Sequence, residues 1–316
     1  MEGVKEMDRQ RDIKFQRSLN SEAYQRIVKE RSKLAVINME TGEIADHYEP
    51  SPVYSENQKR SIKGITELQK HHEEHGGFIT AFFEQSKTMS ERFPELTQSD
   101  MARVLFLATY TSYSDRDNSH GYLKHDNGRY ISKKGLFELL KMSRNKFDEF
   151  YKKINANEII VEHDGNLAVN PVYFYRGDLS KVKAISNDLQ RTRIFRKTVR
   201  ELYGEYSDRK IKQLGLIYAV LPFIHFKFNV LAYNPDEHVA DYVKPMRLGD
   251  LADKLGYAKA SALKAALRAI RYEGKAVFQF VEDEADCRKR KIIVNPAVVF
   301  ASSNDSLEAI KVLFND

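Results

Sequence analysis

LAVNPVYF at residues 167–174 and IIVNPAVVF at residues 292–300 are two versions of the same ending. In each, a run of strand-forming residues stops at an Asn-Pro pair, and proline cannot donate the backbone hydrogen bond that would continue a central strand. Each ending also follows two predicted helices and a first predicted strand. The repetition indicates that one supersecondary unit occurs twice in the chain.

The first copy is predicted over residues 96–178. Its apolar residues recur at helical spacing behind three potential N-caps. The predicted elements are a helix from Thr97 to about Tyr113, a strand at 129–131, helices beginning at Ser132 and Ser143, and strands at 159–162 and 167–170 around the turn at 163–166. This is the order of a winged helix, in which a helix-turn-helix is followed by a two-stranded wing.

The second copy is predicted over residues 206–302 and repeats that order. Its predicted elements are a helix at 209–221, a strand near Met246, helices at 248–255 and 261–272, and strands at 277–281 and 291–295. The sequence therefore predicts a mostly α chain with small β wings, in the α+β class, built from two tandem winged-helix domains.

The remaining segments have weaker signals. Residues 1–31 are predicted as a charged helix or a disordered arm, and residues 32–95 as an N-terminal hairpin followed by helices, with Gly42 in the turn. The apolar run Phe78–Phe83 is predicted to open a short helix. Residues 179–205 are predicted as a basic linker, helical from Asn187 to Tyr203, and residues 303–316 as a C-terminal helix.

The composition is that of a globular chain, with 42% hydrophobic and 30% charged residues. No apolar run approaches the roughly 18–20 residues that a membrane span needs, and the charged N-terminus does not resemble a signal peptide. Cys287 is the single cysteine, so no internal disulfide can form. These features predict a cytoplasmic protein without a membrane partner.

Charge is unevenly distributed along the chain. Residues 35–100 contain twelve acidic and six basic residues, although the whole chain carries a net charge of +6. Residues 181–200 contain seven basic residues against Asp188 alone, and residues 133–153 contain seven basic against three acidic. This segregation favours a polyanionic partner, although a solvated helix face would have the same composition.

The second helix of a helix-turn-helix lies in the DNA major groove, where arginine can bond guanine and asparagine can bond adenine. Arg144 and Asn145 are therefore the predicted base-reading residues, and exposed lysines are expected to contact phosphates. The full predicted DNA-binding set is Lys133, Arg144, Asn145, Lys146, Lys152, Lys153, Arg191, Arg193, Arg196, Lys197, Lys259, Ser261, Lys264, Arg268, Arg288, Lys289 and Arg290. In the second copy the acidic residues at 282–286 oppose phosphate binding.

Several of these segments together resemble the replication proteins of the RepL type, found on Gram-positive plasmids and related phages. The resemblance is carried by LAVINMETGEIAD (34–46), GGFITAFF (76–83), LLKMSRNKF (139–147) and VNPVYFYRG (169–177). It covers residues 33–177 and implies a DNA-binding role in replication or gene control. The second copy and the basic connector depart from the family pattern, and a repressor or activator at paired sites would suit them equally.

No enzyme motif is complete. The stretch HHEEHGG (71–77) does not match the His-Glu-x-x-His pattern of metalloproteases and is expected to be a solvated polar helix end. Phosphate-binding glycine loops are absent, and so are the motifs of nickases and tyrosine recombinases. The sequence therefore predicts a non-enzyme without cofactor, metal or small-molecule substrate.

Two functions from different classes remain open at this point. The first is a sequence-specific regulator or replication initiator that binds double-stranded DNA. The alternative is a protein–protein adaptor that uses winged helices to dock a host or phage complex. A homodimer, formed through the N-terminal arm or residues 78–83, is compatible with either function.

Overall fold

The computed structural model describes residues 37, 40–44, 55–84, 87–114, 121–179, 189–206, 210–282, 290–301 and 306–314. The chain divides into two compact units, residues 1–65 and residues 66–316. In the larger unit, helices are combined with small antiparallel sheets, so the fold is of the predicted α+β class. None of the helices within these ranges is long and apolar enough to cross a membrane.

The smaller unit is described only in part. Ile37 and Ile44 form an antiparallel bridge. Between them Gly42 has a φ of +72°, the left-handed conformation that suits its predicted position in a turn. The predicted arm at residues 1–31 and the flanks of this turn lie outside the described residues.

The elements of the larger unit occur in two similar series. Ahead of the first copy lie α1 (Glu56–Glu74), which belongs to the larger unit from Thr66 onward, β1 (Phe78–Phe83) and α2 (Met89–Arg92). The first copy consists of α3 (Gln98–Ala108), β2 (Gly121–Tyr122), α4 (Lys133–Leu140), α5 (Arg144–Ala156), β3 (Ile160–His163), β4 (Asn166–Val169) and β5 (Phe174–Tyr175).

The second series begins with a strand and a helix, β6 (Gln190–Phe195) and α6 (Arg196–Tyr206). The second copy consists of α7 (Ile211–Ala219), α8 (Leu248–Lys254), α9 (Ala260–Arg268), β7 (Arg271–Tyr272), β8 (Lys275–Ala276), β9 (Phe278–Val281), β10 (Lys291–Val294) and β11 (Val299–Phe300). The helix α10 (Leu307–Val312) follows it.

A four-stranded antiparallel sheet of order β5-β1-β6-β11 joins the two copies. Its centre is the pairing of β1 with β6, which runs from Phe78 opposite Phe195 to Phe83 opposite Gln190. Each copy adds its last strand, β5 or β11, to one edge. The segments predicted as separate domains, residues 96–178 and 206–302, therefore contribute to one sheet within one compact unit.

Both faces of this sheet are covered. On one face Phe195 and Phe300 pack with Leu68 of α1 and with Leu307 and Ile310 around α10. Side chains that point the other way from β1 and β6 pack in the main core with residues of α3 and α7. The main-core residues of these two strands are Ile79, Ala81, Phe83 and Ile194.

The predicted helix at Phe78–Phe83 is wrong, because these residues form β1. Five of its six residues are buried. A strand that is covered on both faces has a continuous apolar run, and such a run cannot be distinguished from a buried helix by periodicity alone.

The predicted linker helix at Asn187–Tyr203 is wrong in its first half. Residues 190–195 form β6, and the helix α6 begins only at Arg196. In β6 the exposed Arg191 precedes the buried Thr192, and the half-buried Arg193 precedes the buried Ile194, which is the alternation of a strand. Asn187 itself lies outside the described residues.

The two Asn-Pro endings make the same hydrogen bonds. The side-chain oxygen of Asn170 accepts from the Val172 amide, and its side-chain amide donates to the carbonyl of Glu158. In the second copy the Asn295 side chain accepts from the Ala297 amide and donates to the carbonyl of Ala276. Both asparagines hold the turn that carries the chain from β4 or β10 to the central sheet, so their recurrence has a structural cause.

A second pair of equivalent contacts lies at the start of each small sheet. The Leu123 amide donates to the Leu167 carbonyl, as the Leu231 amide does to the Ile292 carbonyl, in each case at 2.8 Å. The strands predicted as wings form antiparallel pairs, β3 with β4 and β9 with β10. The expected strand at 129–131 is reduced to a bridge between Tyr130 and Lys124, and the one near Met246 to a bridge between Pro245 and Ala232.

The three helices of the first copy begin directly after their predicted N-cap residues. Thr97 forms a capping box with Asp100, and Ser132 accepts a hydrogen bond from the Gly135 amide. Ser143 is the N-cap residue of α5 by position, but its side chain makes no capping hydrogen bond. The predicted starts of all three helices are therefore confirmed, while α3 ends at Ala108, before the predicted end near Tyr113.

The helices α3 and α7 pack closely against each other at Gly215. A Cβ atom at this position would overlap the Gln98 carbonyl oxygen and crowd the Gln98 side chain, where the first turn of α3 lies against α7. Gly215 is buried within a helix. Glycine is needed at this position because it has no side chain, and not because of an unusual φ. This close approach permits the two copies to share one core.

Replacing Gly215 by alanine is expected to lower the free energy of unfolding by about 3 kcal/mol, because the helices must separate to admit the methyl group. The matched control is Gly204→Ala in α6, where an added Cβ meets no atom within 4 Å. That control is expected to raise stability by about 0.5–1 kcal/mol through helix propensity. Chemical denaturation of both variants checks this, and equal effects would contradict the close packing.

Candidate nucleic-acid interface

The helix α5 divides cleanly into a buried and an exposed side. Phe147, Phe150 and Ile154 are buried in the core. The predicted contact residues Arg144, Asn145, Lys146 and Lys152 are all exposed. The inward face fixes the orientation of the helix, so these four side chains project to solvent from one rigid element.

Asp148 restrains two basic side chains, Arg144 at the start of α5 and Lys133 at the start of α4. It accepts a hydrogen bond of 3.2 Å from Arg144 Nε, and Lys133 Nζ lies 3.9 Å from its other carboxylate oxygen. Lys133 also lies over the ring of Tyr151, 4.4 Å from its centroid. Arg144 remains 72% exposed, and a surface ion pair of this kind is weak enough to exchange for another acceptor.

Lys153 is held inside the first copy. Its Nζ lies 2.9 Å from Glu149 and 3.5 Å from Asp100, and the hydrogen bond with Glu149 raises the pKa of Lys153. Only 23% of its side chain is exposed. From the sequence, Lys152 and Lys153 are equivalent candidates for DNA contacts. In the structure, of these two only Lys152 projects freely to solvent.

In the second copy a wing carboxylate pairs with the helix α9. Glu282 Oε1 accepts from Lys264 Nζ at 2.5 Å and from Arg268 Nη2 at 3.1 Å. The hydrogen bond from Lys264 lowers the pKa of Glu282, so this carboxylate is ionised at neutral pH. Lys259 and Ser261 at the start of α9 are exposed. The second copy therefore presents less unpaired positive charge on its second helix than the first.

The predicted basic connector is divided between a strand and a helix. Arg191 and Lys197 are exposed, and Lys197 lies 3.8 Å from Glu201. Arg193 is half-buried over the ring of Phe78. Burial, together with the charge of Arg191, lowers the pKa of Arg193 to about 10, so its guanidinium stays charged at neutral pH.

Arg196 is predicted as a DNA contact, and the structure contradicts this. Its side chain is buried, with Nε donating to the Thr109 carbonyl at 2.7 Å and Nη2 donating to Asp126 at 3.1 Å. Arg200 joins the same cluster through bonds to Thr109 and Asp126. Thr109 is the C-cap of α3, where a cation stabilises the helix end, so these arginines support the fold.

The sequence gives no sign of the Asp126 partnership, because Asp126 lies at least 70 positions before its two arginine partners. Burial by itself raises the pKa of Asp126, but Arg200 and then Arg196 outweigh that effect, and the net shift is downward. Arg200 also lies over the ring of Tyr110, 3.9 Å from its centroid. Together these contacts attach α6 to the end of α3.

The last members of the predicted set lie at the second wing. Arg288 and Lys289 fall outside the described residues, and Arg290 is exposed beside β10. The acidic residues at 283–286 also lie outside the described residues. Of that wing tip, the structure therefore places Glu282 and Arg290.

The expectation of a solvated helix end at residues 71–77 is wrong for its first two histidines, although Glu73 and Glu74 are exposed. His71 and His72 are buried at the end of α1, and His75 is half-buried. Burial lowers the pKa of His71 to about 3, so its ring is neutral at physiological pH. This segment has a polar sequence, but it lies against the central sheet, where His71 contacts the ring of Phe195.

No protein-family model, curated protein or solved structure matches this chain.

Substitutions at Arg196 and at its neighbour Lys197 distinguish a residue that stabilises the fold from one that lies at the surface. Arg196→Ala is expected to lower the free energy of unfolding by about 2 kcal/mol, because buried charge-assisted hydrogen bonds are lost, and to leave the DNA affinity of the folded protein unchanged. Lys197→Ala is expected to leave stability unchanged and to weaken DNA binding. Denaturation and binding titrations on both variants check this. A loss of DNA affinity without a loss of stability in Arg196→Ala would show that Arg196 belongs to the interface.

Proposed function

We propose that the chain binds double-stranded DNA sequence-specifically through two tandem winged-helix units, as a transcriptional regulator or replication initiator of a phage or plasmid. The observation that carries the proposal is the outward face of α5. It presents an arginine, an asparagine and two lysines on a helix whose other face is locked in the core. The resemblance to RepL-type proteins is the basis for the phage or plasmid setting.

The element order supports this assignment. In both copies a helix and a short extended segment precede two helices, and a strand pair follows these helices. The pair is β3 with β4 in the first copy and β9 with β10 in the second, where the short pair β7 with β8 comes first. In the first copy the small sheet has the order β2-β4-β3. A helix-turn-helix with such a wing places its second helix in the major groove, and that helix would be α5 in the first copy and α9 in the second.

The first copy is better suited to reading bases than the second. Arg144 and Asn145 stand at the start of α5, where recognition helices contact base edges. Lys146 and Lys152 suit phosphate contacts, which position the helix without specifying sequence. In the second copy Glu282 pairs with two cations of α9 and offsets one of their two charges, so we assign that copy a smaller electrostatic share of binding.

The alternative function, a protein–protein adaptor, is favoured by one feature of the second copy. The exposed positions of α9 and its C-cap include three alanines, Ala262 and Ala265 within the helix and Ala269 at the cap, next to cations that are already paired. Such a face suits contact with another protein better than contact with a polyanion. The two functions differ in their salt dependence, because phosphate contacts release counterions and make DNA affinity fall steeply with salt.

Selection of bound fragments from random double-stranded DNA, followed by titration at several salt concentrations, tests the proposed function. Arg144→Ala with Asn145→Ala is expected to reduce discrimination between the selected site and mutated sites by at least about fivefold. Lys146→Ala with Lys152→Ala is expected to weaken binding to all sequences alike and to reduce the slope of log affinity against log salt by about 2.

The matched control removes two exposed lysines outside the proposed interface, Lys210 and Lys212, by substitution with alanine. It lowers the net charge equally, so any effect of charge alone appears in both lysine variants. Binding that is insensitive to salt, or a selected site read equally well without Arg144 and Asn145, would contradict the proposed function.

A further inference from the structure

Three side chains that can bind a metal ion lie close together where α1 ends. His71, Glu74 and His75 each offer a nitrogen or carboxylate oxygen atom, and these three atoms all lie within 4.8 Å of one another. The spacing places the side chains at i, i+3 and i+4, on one side of a helical turn. The two imidazole rings are 4.5 Å apart between centroids. The three donors are therefore already close together on one turn of the helix.

The hydrogen bond of His71 fixes which ring nitrogen is available. Its Nε2 lies 2.8 Å from the Pro296 carbonyl oxygen, and a carbonyl can only accept, so Nε2 carries the proton. The lone pair is then on Nδ1, which is buried and has no hydrogen-bond partner. Histidines that bind metal characteristically donate the other ring N–H to a carbonyl or carboxylate in this way.

The surroundings hold His71 in this orientation. Its ring packs edge-on against Phe195 with centroids 4.8 Å apart, and its side chain is fully buried. His75 is also anchored, since its Nδ1 lies 3.2 Å from the hydroxyl oxygen of Thr198. A buried nitrogen acceptor without a partner is rare in folded proteins, so its position beside two further donors points to a ligand.

We propose that His71, Glu74 and His75 bind a Zn²⁺ ion at the junction of α1 and the Pro296 turn. Two imidazoles and one carboxylate form a donor set typical of zinc, with a fourth position left for water. His71 and His75 are four residues apart on one face of a helix, a spacing at which two histidines bind zinc in other proteins.

Nearby charges set the expected strength of the site. Lys197 and Lys311 act against a cation near His75, while Glu74 and Glu273 favour it. All three ligands come from one helical turn, so the site is more open than a closed four-ligand structural zinc site. Because Pro296 follows Asn295 in the second copy, the ion would stabilise the contact between α1 and that turn.

The test uses the full-length chain, stripped with a chelator and titrated with zinc chloride by calorimetry and thermal denaturation. We expect one zinc per chain and a rise in Tm on binding. Glu74→Gln is the informative variant, because Glu74 is exposed and its loss leaves the core intact. We expect it to weaken zinc affinity at least about tenfold, as loss of an oriented ligand does.

Glu73→Gln is the matched control, since Glu73 is an exposed neighbour that faces Gln69 on the same helix. It is expected to bind zinc as the unmodified chain does. His75→Gln is a second ligand variant and is expected to lose zinc binding. Absence of one-equivalent zinc binding, or affinities unchanged in Glu74→Gln and His75→Gln, would overturn the proposal.

Discussion

The two copies are held together where α7 crosses the first turn of α3 at Gly215, a crossing that no residue with a side chain would permit at this distance. The two copies also meet in the central sheet, where β1 pairs with β6 and where β5 and β11 form the edges. Both α5 and α9 bury their inner faces in the same core. A chain of this length can divide into separate domains, but here residues 66–316 bury one continuous interior.

Positive charge serves different purposes in different parts of this framework. Arg196 and Arg200 cap the end of α3 together with Asp126. On α9, Lys264 and Arg268 share the wing carboxylate of Glu282. The exposed side of α5 keeps most of its basic side chains available to a partner. A run of basic residues in the sequence is therefore an incomplete guide to a binding surface, since a guanidinium serves a helix end as readily as a phosphate.

At the end of α1, too, the composition of a segment does not reveal where that segment lies in the fold. The segment His71–His75 is polar in sequence, yet it packs between the central sheet and the turn at Pro296. Gly76 permits the turn that follows, with a φ of +71°, and a Cβ atom there would lie 2.8 Å from the Cβ atom of Lys197. Burial of neutral imidazoles at this junction has an energetic cost unless their nitrogens find partners. This is the physical basis of the zinc site proposed there.

The sequence alone determined what depends on local pattern. The duplication is visible because the two endings have similar sequences. The caps at Thr97 and Ser132 and the amphipathic side of α5 are visible in residue spacing, because each depends on near neighbours in the chain. The tertiary structure alone decided that Phe78–Phe83 and residues 190–195 are strands, since burial or pairing across a sheet involves residues more than a hundred positions away. It also decided that Arg196 is buried, Lys153 restrained and His71 enclosed. Those outcomes depend on partners such as Asp126, Asp100 and Pro296, which only the folded chain brings within hydrogen-bonding or ion-pair distance.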